Sequence, residues 1–154
     1  MLLYLVQHGE AKREEEDPQR GLSDKGRQDV QAVAAYARKM NAQPNQIFHS
    51  AKLRAQQTAT ILAGQLKPQK GMDQAENLLP LDDPGSWASR LAGMHEDVML
   101  VGHLPFMARM AGLLLCGDKD KMCVAFKMGG IVCLKRFDDN QWAVEWMVVP
   151  DIVR

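Results

Sequence analysis

The sequence predicts a three-layer α/β sandwich, in which a mostly parallel central sheet carries helices on both faces. Short apolar runs alternate with amphipathic helical segments over residues 1–115, and this alternation is typical of a parallel sheet. Residues 122–148 instead contain apolar runs joined by a tight turn, which adds antiparallel strands at the C-terminal edge. The length of 154 residues is close to that of one domain, so we expect a single domain over residues 1–154.

The predicted elements follow in order along the chain. The apolar run Leu2–Val6 ends abruptly at a polar residue, which indicates a buried strand. Ser23 is a suitable N-cap for a helix that runs to about Met40. Further strands are predicted over Gln46–His49, Met72–Ala75 and Asp97–Val101, helices over Leu53–Leu66, Ser86–Ala92 and Leu104–Leu115, and a loop over Leu79–Gly85. The C-terminal strands are predicted over Met122–Phe126, Ile131–Phe137 and Trp142–Val148, with a turn at Asp138-Asp139-Asn140.

Composition and charge exclude several classes of function. Lys plus Arg and Asp plus Glu both number 19, so the formal net charge is zero, which argues against a general nucleic-acid or anionic-membrane binder. No apolar stretch reaches the length of a signal peptide or a membrane span. Cys116, Cys123 and Cys133 lack CxxC spacing, so we expect reduced, mostly buried thiols in a cytoplasmic protein.

Polar side chains follow three predicted strands, at the point where each strand ends. These segments are Gln7-His8-Gly9, His49-Ser50 with Arg54 in the next helix, and Gly102-His103. Ligands of open α/β sheets bind beyond the carboxyl ends of the strands, so we expect these groups to converge. Two helix N-termini point to the same edge and favour an anion. Histidines beside an arginine, without carboxylates or thiolates at ligand spacing, indicate a phosphate site rather than a metal site.

The residue types at this edge suit phosphoryl transfer. A neutral imidazole such as that of His8 has a free nitrogen and can attack phosphorus. The guanidinium fork of Arg54 matches two phosphate oxygens, and His103, if protonated, would add positive charge. Gly9 and Gly102 let the backbone pack closely around the site.

Four segments carry a resemblance to a known family. They are Leu5-Val6-Gln7-His8-Gly9-Glu10-Ala11, Arg20-Gly21-Leu22-Ser23-Asp24-Lys25-Gly26, Ser50-Ala51-Lys52-Leu53-Arg54-Ala55-Gln56-Gln57-Thr58 and Gly102-His103-Leu104-Pro105. In order and spacing they resemble the histidine phosphatase (phosphoglycerate-mutase-like) superfamily, and its SixA-type phosphohistidine phosphatase branch in particular. The resemblance covers about residues 1–115.

The resemblance implies a role for each matching residue. His8 would be the nucleophile, Arg54 the phosphate-binding arginine and His103 the second catalytic histidine. Further contacts to substrate or phosphate are expected from Gln7, Gly9, Arg20, Ser50 and Leu104. The resemblance also implies hydrolysis of phosphohistidine on proteins such as phosphotransfer domains, with no metal or other cofactor.

Two features depart from the pattern of the family. The first motif of the family is Arg-His-Gly, whereas Gln7 precedes His8 here. A neutral amide binds phosphate more weakly than a guanidinium does, so we expect weaker phosphate binding, slower turnover or both. Related enzymes use a glutamate after the third strand as the proton donor. Glu76 is the nearest candidate, with Asp82 and Asp83 behind it.

The sequence leaves two alternatives to a protein phosphohistidine phosphatase. One is a phosphatase that acts on small phosphate esters. The other is a catalytically weak module that only binds phosphorylated ligands, with Gln7 as a mark of lost catalysis. Several residues also have plain structural interpretations. Arg20 could pair with Glu15 or Glu16 of the acidic loop, and Ser50 could be only a helix N-cap.

Overall fold

A computed structural model describes all 154 residues and contains six strands and five helices. The strands are β1 (Leu2–Gln7), β2 (Gln46–His49), β3 (Met72–Gln74), β4 (Val98–Gly102), β5 (Ile131–Arg136) and β6 (Trp142–Val148). The helices are α1 (Asp24–Lys39), α2 (Leu53–Leu66), α3 (Pro84–Ala92), α4 (Phe106–Cys116) and α5 (Pro150–Val153).

All six strands form one sheet with the order β3-β2-β4-β1-β5-β6. The first four strands of this order are parallel to one another, while β5 is antiparallel to both β1 and β6. The predicted fold class is thereby confirmed, including the antiparallel C-terminal edge. Since β4 lies between β2 and β1, the carboxyl ends of these three strands are direct neighbours.

Two hydrophobic clusters fill the spaces on either side of the sheet. Successive β1 side chains point to opposite faces of the sheet. Tyr4 and Val6 join the cluster under α1 and α2, whereas Leu3 and Leu5 join the cluster under α3 and α4. This strand is buried on both faces, so its sequence is a continuous apolar run rather than an alternating pattern.

The start of α1 is fixed against the loop that follows β1. The Ser23 hydroxyl accepts a hydrogen bond from the Gly26 amide at 3.0 Å, as the sequence predicts for an N-cap. The Ser23 amide donates to the Glu10 carbonyl at 2.9 Å. Glycine is required at position 26, since a Cβ there would overlap the Glu10 carbonyl oxygen. The loop after the first strand is therefore held directly on a helix.

The predicted strand Met122–Phe126 is wrong, because this segment is irregular. Lys121, the residue before this segment, lies so close to α4 that its carbonyl oxygen would overlap a Cβ at Gly112. Val124 and Phe126 still pack on the cluster under α4. The apolar pattern therefore predicted burial correctly, but the segment packs against a helix rather than pairing with a strand.

The helices and cysteines differ from expectation in smaller ways. Helix α3 begins at Pro84 because Asp83 accepts a hydrogen bond from the Gly85 amide at 2.9 Å, and α5 was not predicted. Only Cys133 is buried, so the expectation of mostly buried thiols is wrong for Cys116 and Cys123. None of the helices combines the length and the apolar character that crossing a bilayer requires.

Candidate active site

The two histidines at neighbouring strand ends lie side by side. The His8 amide donates to the Gly102 carbonyl at 2.9 Å, which extends the pairing of β1 with β4 by one residue. The ring centroids of His8 and His103 are 5.1 Å apart at an interplanar angle of 60°. The parallel pairing of the two strands therefore sets the distance between the two imidazoles.

The hydrogen bonds of His8 define its protonation state. Nδ1 lies 2.7 Å from the Gly9 carbonyl oxygen, and a carbonyl can only accept, so Nδ1 carries the proton. The Arg54 Nε–H donates to Nε2 at 3.3 Å, which requires a lone pair on Nε2. Burial, and secondarily the charges of Arg54 and Arg20, lowers the pKa of His8 to about 4. At neutral pH His8 is therefore a neutral imidazole whose free nitrogen is Nε2.

His103 is buried and is held by a hydroxyl group from the neighbouring strand end. Only 1% of the residue is exposed, and its Nε2 lies 2.6 Å from the Ser50 Oγ. Its Nδ1 is buried without a partner. Burial, followed by charges on His8, Arg54 and Lys52, lowers the pKa of His103 to about 3. This ring is therefore neutral in the free protein, and a bound anion would be needed to charge it.

Arg54 lies in the first turn of α2, and a threonine links that turn to the loop after β1. The Thr58 hydroxyl donates to the Arg54 carbonyl at 2.8 Å and accepts from the Gly9 amide at 3.1 Å. Glycine at position 9 also permits close packing, because a Cβ there would lie 2.8 Å from a Val30 methyl. The nucleophile candidate and the arginine are thus fixed to each other through Thr58.

Arg20 extends from the loop before α1, where it has a left-handed backbone with φ of 50°. Its Nε donates to the Lys12 carbonyl at 3.1 Å. The alternative of a pair with Glu15 or Glu16 does not hold, since Arg20 forms no ion pair and Glu16 pairs with Arg13 at 2.8 Å. Arg20 and Arg54 line the same cavity, and the charge of Arg20 lowers the pKa values of both His8 and Arg54.

The remaining expected contact residues differ in how they are placed. Gln7 is half-buried beside His8, and its Oε1 is buried without a partner. Ser50 is fully buried, and besides contacting His103 its Oγ accepts from the Lys52 amide at 3.2 Å. Leu104 follows His103, and 39% of the residue is exposed.

Glu76 forms no hydrogen bond with either histidine. Glu76 is exposed and lines a separate cavity of about 330 Å³, together with Phe48, Trp87 and Arg90. Neither His8 nor His103 lines that cavity. Asp82 and Asp83 accept backbone hydrogen bonds from Leu79 and Gly85, both at 2.9 Å. The expectation of a carboxyl donor at these positions finds no support in the geometry.

Other polar groups that shape the site were not singled out by the sequence. The Gln57 side chain accepts from the Leu22 amide at 2.7 Å and ties the loop before α1 to α2. Thr58 was noted only as part of a motif, although the polar pair Gln57-Thr58 in the first turns of a helix could have suggested it. No group of three His, Cys, Asp or Glu side chains gathers at metal-ligand spacing.

Comparisons with known proteins bear on the family and the fold of the chain. A family model described as the histidine phosphatase superfamily, branch 1, matches residues 3–79. That region includes His8, Arg20 and Arg54, whereas His103 lies beyond it. No curated protein sequence matches the chain significantly.

Several solved structures share the whole fold. The protein histidine phosphatase SixA in complex with tungstate is 20% identical, with a TM-score of 0.87 over 100% of both chains. The SixA protein of Agrobacterium tumefaciens is 22% identical, with a TM-score of 0.80 over 97% of each chain. A mycobacterial glucosyl-3-phosphoglycerate phosphatase in complex with VO3 is 16% identical, with a TM-score of 0.72 over 94% of this chain and 97% of the other. Because the family model spans half of the 154 residues, the chain belongs to the histidine phosphatase superfamily, and that membership supports phosphatase activity.

Proposed function

We propose that the protein hydrolyses phosphohistidine on a protein substrate through a covalent phosphoryl intermediate on His8. The observation that carries the proposal is the state of His8, which is neutral, holds its proton on Nδ1 and directs the Nε2 lone pair at the Arg54 guanidinium. An anion bound by Arg54 would therefore lie beside the free nitrogen. We expect this activity in the cytoplasm.

In the first step Nε2 of His8 attacks phosphorus, and the P–N bond of the substrate breaks. A substrate imidazole that is already protonated leaves as a neutral ring, so no proton has to move. The His8 ring becomes a phosphorylated imidazolium, since it keeps its Nδ1 proton. The Gly9 carbonyl, 2.7 Å from Nδ1, stabilises this positive ring.

In the second step water attacks phosphorus, the P–Nε2 bond breaks and dihydrogen phosphate leaves. Both protons of the water stay on the phosphate, and His8 returns to its neutral state. In each step Arg54 and Arg20 stabilise the negative charge on the transferred phosphoryl group. We propose that these guanidinium groups act without a metal, so a chelator should leave the rate unchanged.

The chemistry of the leaving group favours a phosphoramidate substrate. An alkyl ester needs an acid to protonate its departing oxygen, and neither histidine forms a hydrogen bond with a carboxylate. Glu76 lies on a different cavity. A phosphohistidine substrate makes a smaller demand on the site because it can bring its own proton.

Trapping the intermediate tests the proposal. The protein is mixed briefly with a phosphotransfer domain that carries ³²P on histidine and is then quenched in alkali, which preserves phosphohistidine. Label on a peptide that contains His8, and a fall in turnover of roughly a thousandfold or more in His8→Ala, are expected. His95→Ala is the matched control, since His95 is exposed and distant from the site in the fold. Full turnover without a labelled His8 would overturn the mechanism.

A second candidate, hydrolysis of small phosphate esters, is favoured by one comparison. The mycobacterial structural relative is a glucosyl-3-phosphoglycerate phosphatase. The two functions are distinguished by comparing kcat/KM on the phosphorylated domain with kcat/KM on a panel of sugar and nucleotide phosphates. A higher value on any ester than on the domain would favour the second candidate. Binding without label or turnover on either substrate would instead indicate the non-catalytic module.

A further inference from the structure

A groove opens beside Arg54, and neither His8 nor His103 is among the residues that line it. It has a volume of about 610 Å³ and is lined by Arg20, Lys52 and Arg54 together with Glu14 and Gln56. We call it the cationic groove, after the first three of these residues. Pockets that hold whole small ligands span roughly 300–1,000 Å³. The groove therefore has room for more than a single phosphoryl group.

The three cations of the cationic groove have no anionic partners. No carboxylate lies within ion-pair distance of Arg20, Lys52 or Arg54. The carboxylate of the neighbouring Asp17 instead accepts the amides of Gln19 and Gly21, at 3.0 and 2.9 Å. Glu14 is the one acidic residue of the lining, so positive charge is in excess there and favours an anionic ligand.

The cations divide between two positions in the groove. Arg54 contacts His8 directly, and the charge of Arg20 lowers the pKa of His8. Lys52 precedes α2 as its N-cap residue, and its ammonium forms no hydrogen bond with either histidine, whereas the Arg54 guanidinium contacts Nε2 of His8. The charge of Lys52 also contributes to the lowered pKa of His103. A phosphoryl group held at His8 by the arginines would leave the ammonium of Lys52 available.

We propose that Lys52 binds a second anionic group, carried by the substrate beside the phosphoryl group that is transferred. This inference rests on the proposed phosphoryl transfer to His8. On a protein substrate the second group is the carboxylate of an acidic residue next to the phosphorylated histidine, and on a small molecule it is a carboxylate or phosphate. Lys52 is then a specificity-determining residue, because it selects among substrates without touching the reacting atoms.

Matched aryl phosphates test the inference without requiring a phosphohistidine. Phenyl phosphate and the 3- and 4-carboxyphenyl phosphates are compared with wild type, Lys52→Gln and Lys52→Glu. For Lys52→Gln we expect kcat/KM to fall about tenfold on the better carboxylated substrate and about twofold on phenyl phosphate. Lys52→Glu should widen the difference. Lys52 is exposed and its side chain makes no cap hydrogen bond, so folding should be preserved.

Lys39→Gln is the matched control, because Lys39 is an exposed lysine in the last turn of the 16-residue helix α1. Its effect should be the same on all three substrates. Equal losses on carboxylated and plain phenyl phosphate in Lys52→Gln, or no loss on either, would overturn the inference. Neither result would affect the labelling of His8, which tests the proposed mechanism separately.

Peptides identify the source of the second anion. Two phosphohistidine peptides, one with acidic and one with serine residues beside the phosphorylated histidine, are hydrolysed by wild type and Lys52→Gln. A preference for the acidic peptide that disappears in the variant supports a protein side chain as the occupant. Discrimination among the aryl phosphates without discrimination between the peptides supports a small-molecule anion, which keeps the role of Lys52 but changes its ligand.

Discussion

The two walls of the candidate active site differ in charge. The charged wall consists of Arg54 on α2 and Arg20 on the loop before α1, and neither forms an ion pair. The neutral wall consists of Gln7 at the end of β1 and His103 after β4, whose pKa is lowered to about 3. If the site binds phosphate as proposed, the electrostatic attraction comes from the charged wall, whereas the neutral wall offers polar groups without charge. Mutations on the two walls should therefore differ in how they change phosphate or vanadate affinity and turnover.

Among the residues of the two walls, Arg54 should give the largest effect. Arg54→Met removes the cation that contacts His8 and would meet two phosphate oxygens, so kcat/KM should fall by about a hundredfold. Arg54→Lys should recover only part of this loss, because an ammonium cannot bind two oxygens as a planar fork. Steady-state kinetics and the inhibition constant of vanadate measure the effect. Arg38→Met, on the exposed last turn of α1, is the control. Activity equal to that of the control would contradict the role of Arg54.

Low pH should lower kcat/KM by protonating His8, the proposed nucleophile between the two walls. With a pKa of about 4, His8 keeps its Nε2 lone pair at all higher pH values and loses it as the pH falls through that value. After correction for ionisation of the substrate, kcat/KM should therefore be flat from pH 7 to about pH 5. Below the pKa it should drop about tenfold per unit. The profile is measured down to the pH at which circular dichroism still reports the folded protein. If kcat/KM instead began to fall near pH 6.5, the ordinary histidine pKa, His8 would not be held neutral in the folded protein.

A smaller effect is expected from Ser50, which supports the neutral wall. Ser50→Ala removes the 2.6 Å contact to Nε2 of His103 and leaves that buried nitrogen without a partner. We expect kcat to fall about tenfold, with a smaller change in vanadate affinity, because the phosphate-binding charges remain. Ser89→Ala, on the exposed side of α3, is the control. A tenfold loss of vanadate affinity with kcat unchanged would place Ser50 in binding rather than in positioning His103.

The smallest change, and one of opposite sign, should come from charging the neutral wall. Gln7→Arg should tighten vanadate or inorganic phosphate binding by about threefold to tenfold, since a charge-assisted hydrogen bond replaces a neutral one. Gln31→Arg adds the same charge on the exposed face of α1 and serves as the control. Identical vanadate or phosphate affinities in the two variants would mean that the residue at position 7 does not contact the bound anion.

The arrangement of strand ends could be predicted because its signals are local. An apolar run that stops at His8, and another that stops at Gly102-His103, can be recognised in the sequence without knowledge of the partner strands. The contact of Ser50 with His103 could not be predicted in the same way. It depends on β4 inserting between β1 and β2, an order that the spacing of the elements does not determine.

Two further differences have physical causes of a similar kind. Glu76 follows β3, the edge strand, and lines the cavity beside Trp87, so its role as a proton donor stays a prediction. The apolar segment Met122–Phe126 is partly buried, yet burial against a helix and burial in a sheet give the same pattern. Sequence periodicity reports that a side chain is covered, whereas the identity of what covers it depends on long-range packing.

The left-handed backbone of Arg20 indicates a trade-off between thermal stability and a positive charge for phosphate binding. A residue with a Cβ is disfavoured at a φ of 50°, and glycine would adopt that conformation more readily. Arg20→Gly should therefore raise the melting temperature slightly or leave it unchanged, while it weakens the hold on phosphate. If so, the loop before α1 is not optimised for stability, and selection for thermal resistance alone would remove a residue on which the proposed turnover depends.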